Sequence, residues 1–352
     1  MATSSSRKKR NSEQYSDYKK KITSAKRVMM LIFGGSIAVF IVIIAAAIAN
    51  EGAAAFVSSL LSVNLFYLLI ALLVVFASNI MRYPKWERYM KRLGIKISRA
   101  KNIMIYLSMS SMEITPGRWG RAIVSYTINK LTRVKFAAMF PAIVADIFTD
   151  FSGFAIVCLA AALFIGKYVA LSFFVTFLLL LPFIFLYVRG PFDFVRRRFG
   201  RIKWLRGFFY NAIIYFKSNR KLRNSDYIYS MVFTIPSMFL NGVALYFVIL
   251  ALGINIPLST MPQVIFIFSS SLLLGIITGI PAALGVTDGV LIGYLVLFFG
   301  GFGLDFGLAS IISILFRIVN WWFVEGFGFA ALAYTFKYWK LPEHKARAVA
   351  GV

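Results

Sequence analysis

From Tyr227 to Thr287 the chain runs 61 residues without an Asp, Glu, Lys, Arg or His. A water-soluble fold has no use for so long an uncharged stretch. The hydrocarbon core of a bilayer, about 30 Å thick, asks for about 20 apolar residues per crossing helix. The run therefore predicts a polytopic, all-α membrane protein whose solvent is lipid. Hydrophobic residues make up 60% of the 352, so counting domains from length, which presumes a wet surface, does not apply. One membrane domain is expected over 28–338, preceded by a basic tail, 1–27, and followed by a polar tail, 339–352.

The chain carries 39 Lys and Arg against 13 Asp and Glu, a net charge of +26. Nucleic acid is not the implied partner, because the basic residues sit in short blocks bordering apolar segments. Five blocks hold 35 of the 39: residues 1–27, 82–101, 130–135, 189–223 and 337–352. With all five on the cytoplasmic side of a plasma membrane, Lys167 is the only basic residue in an outer loop. Arg118, Arg121 and Arg317 are then left at membrane depth and both termini lie inside. The 22 apolar residues after the first block lack a small-residue cleavage site and are expected to be a retained first span. The aromatic and basic segment 189–226 reads as a cytoplasmic interfacial stretch attractive to anionic headgroups.

What is missing limits the chemistry. Cys158 is the single cysteine and His344 the single histidine, which removes thiol–histidine, Ser-His-Asp and His-metal catalysis together. No phosphate-loop motif is present. The expectation is no enzyme activity, no metal and no cofactor.

Spans are predicted at Val28–Asn50, Ser62–Met81, Val134–Gly166, Tyr168–Val188, Ile228–Leu252 and Phe306–Phe336. Two further regions, Asn102–Leu131 and Met261–Gly300, are broken in the middle by Pro116, Gly117 and Gly120 and by Pro281 and Gly285. The arm before the first break is too short to span, so re-entrant hairpins are favoured over full double crossings. Pro116-x-x-x-Gly120 matches Pro281-x-x-x-Gly285, and each break is followed by a span with ionisable residues inside it. Three spans between the two units give them opposite orientations, the signature of an inverted repeat with a substrate site between discontinuous helices. Chance recurrence of Pro and Gly helix breaks is the competing account.

Charges at membrane depth cost about 2.5–3.5 kcal/mol each on insertion and usually line a cavity or pair. They are Glu113, Arg118, Arg121, Asp146, Asp150, Asp288, Arg317 and Glu325. Asp146 and Asp150 share a helical face, where two ionised carboxylates need an Arg, a cation or a proton between them. Arg317, Asn320, Trp321 and Glu325 also share a face. Arg118 and Arg121 flank a helix break, where guanidinium and backbone donors can converge on a lipid phosphate. Internal salt bridges that only lock the bundle are the alternative. Glycines at four-residue spacing, Gly275 with Gly279 and Gly285 with Gly289 and Gly293, read as surfaces for close helix packing.

At TPGRWGR (115–121) with the Asp146–Asp150 helix, and again at PAALGVTDGV (281–290) with Arg317, the chain resembles the transmembrane-region family of lysylphosphatidylglycerol synthases. Where the family typically reads Pro-Gly-Arg-x-Gly-Glu, Arg121 takes the Glu position. Its Glu-Arg-x-x-Asp is Asp146-Ile147-x-x-Asp150 here, without the Arg. Its Pro-Gly-Gly-x-Gly-x-x-Glu becomes Pro281-Ala282-Ala283-x-Gly285-x-x-Asp288. The family's two-domain members add a soluble aminoacyl-transferase after the membrane region, and this chain is expected to lack that activity. The resemblance implies a flippase-like protein that handles membrane lipids, moving a polar or polyprenyl-linked lipid between leaflets. A secondary transporter of a soluble solute and a membrane-embedded transferase are the other readings.

Overall fold

The computed structural model describes residues 41–46, 48, 49, 52–113, 121, 124–132, 134–166, 218–278, 280 and 283–338, with isolated positions at 35, 38, 174 and 177. Among them every regular element is helical: α1 (Ala53–Leu61), α2 (Leu65–Met81), α3 (Tyr83–Leu93), α4 (Arg99–Met109), α5 (Val124–Thr132), α6 (Phe136–Ile165), α7 (Asn224–Ala251), α8 (Met261–Ile277), α9 (Val286–Phe299), α10 (Phe306–Arg317) and α11 (Phe323–Tyr338). A π-helical turn, Ile318–Trp322, joins α10 to α11. Four expected spans are recovered as α2, α6, α7 and α10–α11. The predicted span Tyr168–Val188, most of Val28–Asn50 and most of the 189–226 segment lie outside the described residues.

Among the described residues five stretches are long and apolar enough to cross a membrane: Leu65–Leu93, Ala137–Ile165, Asn224–Ala251, Leu258–Ile277 and Phe306–Thr335. The arms of the first broken region, α4 and α5, have 11 and 9 residues. At 1.5 Å per residue they reach about 17 and 14 Å, well short of the hydrocarbon core. The second region differs, because its first arm, counted from Leu258, reaches crossing length by itself.

The bundle exposes large apolar side chains and buries polar and charged ones within an otherwise apolar core. Leu65, Leu69, Leu73 and Phe76 form an exposed stripe on α2, while Ala71, Val75, Ser78 and Asn79 face inward. The two stripes follow the helical repeat, and an exposed apolar surface of this kind suits lipid.

Helix contacts follow the two halves. α2 packs on α7, and a fixed register shows they run antiparallel. Asn64 N–H donates to Ala251 O at 2.7 Å, and Ser78 Oγ and Ser237 Oγ each donate to the other's carbonyl at 3.1 and 2.9 Å. From Asn64 to Ser78 and from Ala251 to Ser237 is the same 14 residues, walked in opposite directions. The reciprocal serine bond is what a two-fold axis between equivalent helices produces. Across that axis α6, which follows the first hairpin, packs on α8 of the second, and α11, which follows the second, packs on α4 of the first. α6 also contacts α7, as α11 contacts α2. Each half thus closes over the other's hairpin, the arrangement of an inverted repeat.

The glycine expectation divides. A Cβ on Gly275 would sit 2.0 Å from Thr287 Oγ1 and 2.6 Å from Ala283 Cβ, so α8 and the start of α9 touch there. At Gly289 and Gly293 a Cβ would meet nothing within 4 Å, and close packing is not their role among the described residues. Gly328, not singled out by its sequence, is a close approach to backbone: a Cβ there would lie 2.3 Å from Ser111 N, where α11 crosses the end of the first hairpin's first arm.

Candidate functional site

Asp146 and Asp150 lie about halfway along α6, one turn apart and both buried. Three cations neutralise them. Arg121 Nη1 donates to Asp146 Oδ2 at 2.5 Å and to Asp150 Oδ2 at 3.0 Å, while its Nη2 donates to Glu113 Oε1. Lys85 Nζ donates to Asp150 Oδ1 at 2.5 Å and stands 3.1 Å from Asp146 Oδ1. Arg82 Nη1 donates to Asp150 Oδ2 at 3.1 Å, and its Nη2 donates to Asn79 Oδ1. Three cations face three carboxylates, and close opposite charges offset the cost of removing all six from water.

Arg82 and Lys85, members of the 82–101 block read as cytoplasmic, turn into the protein and not toward water. Both are buried, at 6% and 1% exposure. The reason lies in α3, which prolongs α2 after a one-residue junction and has Pro84 as its second residue, whose missing N–H costs nothing in a first turn. Arg82, Lys85, Trp86 and Tyr89 then recur at three- and four-residue intervals on the face turned to α6 and α4. Trp86 Nε1 donates to Asn102 Oδ1 at 3.0 Å, and Tyr106 OH donates to Asn79 O at 2.9 Å, fixing α4 to this face. Arg88 and Arg92, from the same block, donate to the buried Asp226 at the start of α7, at 2.6 and 2.9 Å. That spacing is the signal which could have marked Arg82 and Lys85.

The second half repeats the motif with its signs exchanged. Arg317, at the end of α10, forks onto Asp288: Nε to Oδ1 at 2.8 Å and Nη2 to Oδ2 at 2.6 Å. Asp288 also accepts Gly285 N–H at 3.1 Å, capping α9. The cap requires the φ of 77° that Gly285 adopts without strain. Ala283, where the resemblance expects Gly, is held at φ 51°, which costs a residue with a Cβ about 1–2 kcal/mol. In the first half an Arg at the hairpin pairs with an Asp on the following span. In the second an Asp at the hairpin pairs with an Arg on the following span. Both pairs, Arg121–Asp150 and Asp288–Arg317, are separated by 29 residues.

Between the two networks is a cavity of about 30 Å³, large enough for a water molecule or two. Asn79, Arg82 and Glu113 of the first half and Asn241, Asn320 and Glu325 of the second line it. The π-helical turn supplies Asn320 and Trp321, and the Arg317 guanidinium lies 5.2 Å from the Trp321 ring centre. Asn79 and Asn241, uncharged, gave no sequence signal. Of the residues expected to share a site, Arg121, Asp146 and Asp150 meet in one network, Asp288 and Arg317 in the other, and Glu325 faces the cavity between them. Arg118, Pro116, Gly117, Gly120 and Pro281 lie outside the described residues, and Gly285 immediately precedes α9.

A second feature opens beside the Asp288–Arg317 pair. An apolar groove of about 680 Å³ runs between the helical positions 38 and 41–46 and α9, lined by Val42, Ala46, Gly289, Gly293 and Phe306, and it reaches Gly285.

Two comparisons bear on these features. Residues 32–328 match the family model described as the lysylphosphatidylglycerol synthase TM region. A UPF0104 membrane protein of Methanothermobacter thermautotrophicus is 21% identical over 294 residues, which cover 76% of this chain and 85% of that protein. With a helical bundle, broken paired helices and a match across most of its length, this chain is a multi-pass membrane protein that belongs to the lysylphosphatidylglycerol synthase transmembrane-region family.

Proposed function

We propose that this protein moves a polar or polyprenyl-linked lipid between the leaflets of the plasma membrane, with both termini on the cytoplasmic side. The observation that carries the reading is the shape of the second half's surface. An apolar groove of about 680 Å³ ends at Gly285, whose N–H is held by the buried Asp288–Arg317 pair. A groove lined by apolar side chains and bare glycines matches the hydrocarbon part of an amphiphile, with an acyl or prenyl chain laid along α9. The bare glycines of α9 fit this role, since side chains at Gly289 and Gly293 would fill the groove and not the protein core. A soluble solute finds less support, because the polar cavity holds only a water molecule or two.

Mass spectrometry of gently purified protein tests the reading. The wild type is expected to retain a phospholipid or polyprenyl phosphate, and Gly293→Leu to fold normally but lose most of it. Equal retention by both proteins, or a retained soluble solute in place of lipid, would contradict it.

A further inference from the structure

The buried charges of the described bundle nearly balance. Arg82, Lys85 and Arg121 answer Glu113, Asp146 and Asp150, Arg317 answers Asp288, and Arg88 and Arg92 answer Asp226. Glu325 is left over. It is 6% exposed, joins no ion pair with a described cation, and its Oε1 has no hydrogen-bond partner among the described residues. Its side chain lines the polar cavity. An ionised carboxylate without a partner at such a place is costly, so it binds something positive or gives up its charge.

We propose that Glu325 is a proton-exchange site, taking a proton from water in the cavity onto its carboxyl oxygen and returning it to water there. The surroundings select a proton over a metal cation. A metal ion would keep its charge beside the Arg82 guanidinium, which lines the same cavity, whereas a proton makes Glu325 neutral. A neutral carboxyl also shares the cavity with an acceptor. Asn241 uses its Nδ2 on Ser78 Oγ and Ser237 O, at 2.8 and 2.9 Å, and has its Oδ1 left to offer the cavity. The charged groups that face Glu325 are Glu113 at the end of the first hairpin's first arm, Arg82 at the end of α2 and Arg317 before the π-helical turn. From α4, Tyr106 is occupied with Asn79.

The placement gives the proton leverage. Glu113 holds Arg121, and Arg317 holds Asp288, so each hairpin's charge network has one member facing Glu325. Ionised Glu325 repels Glu113 and competes with Asp288 for Arg317, while protonated Glu325 releases both. If the lipid reading holds, a proton gradient thereby drives lipid movement; this consequence rests on that reading, and the proton site itself does not.

Two measurements on purified full-length protein decide it. Infrared difference spectra between acid and alkaline buffer should show a protonated carboxyl C=O band that titrates in wild type and is absent in Glu325→Gln. In phospholipid vesicles carrying fluorescent phosphatidylglycerol, a pH gradient should bias the reporter toward one leaflet and an equal sodium gradient should not. Glu325→Gln should fold, equilibrate the reporter and show no bias. A band that persists in Glu325→Gln overturns the proposal, as does a sodium gradient that substitutes for protons. Misfolding of Glu325→Gln that Arg118→Gln repairs would reveal a structural ion pair and overturn it too. A titrating Glu325 band with no reporter movement under any gradient leaves the proton site standing and overturns the lipid reading alone.

Discussion

An Asp150→Asn variant is expected to lose the folded, monodisperse state. Asp150 is fully buried and accepts from Arg82, Lys85 and Arg121 at 3.1, 2.5 and 3.0 Å. Neutralising it leaves three cations against two carboxylates in a dry interior. Removing one partner of a buried pair typically costs about 3–5 kcal/mol, against a total stability of about 5–15 kcal/mol for a typical domain. Asp150 serves three cations, so the upper end of that range applies. Fluorescence-detected size exclusion over a temperature ramp measures the loss. A Lys85→Met change in the same chain should recover part of it by restoring the balance of charge. Near wild-type behaviour of Asp150→Asn alone would show that the cluster is wetter, and its charges less coupled, than their burial indicates.

The second large effect is at the other network. Arg317→Gln is expected to destabilise by about 3–5 kcal/mol, because Asp288 is then buried without its forked partner. Combining it with Asp288→Asn should return most of the stability, since Asn keeps an oxygen to cap Gly285 N–H and no charge remains unpaired. Combining Arg317→Gln with Asp150→Asn should give no such recovery, and should instead add the two losses, because these residues belong to separate networks. Melting midpoints of the single and double variants measure the coupling. Recovery in the Asp150 pair and none in the Asp288 pair would mean the partners are exchanged.

These pairings show where the sequence is legible and where it is not. The spans are legible because hydropathy reports solvent directly, and α2, α6 and α7 begin or end within a few residues of expectation. The inverted relation is legible through Pro116 and Pro281, though its firmest support, the antiparallel register of Ser78 with Ser237, involves serines with no distinguishing pattern. Arg82 and Lys85 were concealed by a good rule. Basic residues flanking a span usually face water, and only their helical phase with Trp86 and Tyr89 separates these two from their neighbours. Partner choice was not legible at all. That Arg317 meets Asp288 and not Asp150 depends on which helix packs against which, a tertiary fact that no local spacing carries. Gly289 and Gly293 were misread for a related reason: small residues at a four-residue interval describe a smooth helix face equally well whether another helix or a lipid chain lies on it.

The central claim is that lipid crosses between leaflets through this protein, and a translocation assay tests it most directly. Purified protein is reconstituted into vesicles with fluorescent phosphatidylglycerol in both leaflets, and an impermeant reductant is added outside. The account predicts that bleaching proceeds past the outer-leaflet fraction toward completion, and that Gly293→Leu, with its groove filled, slows it to the rate of protein-free vesicles. Bleaching that halts at the outer-leaflet fraction with folded wild-type protein would contradict the account.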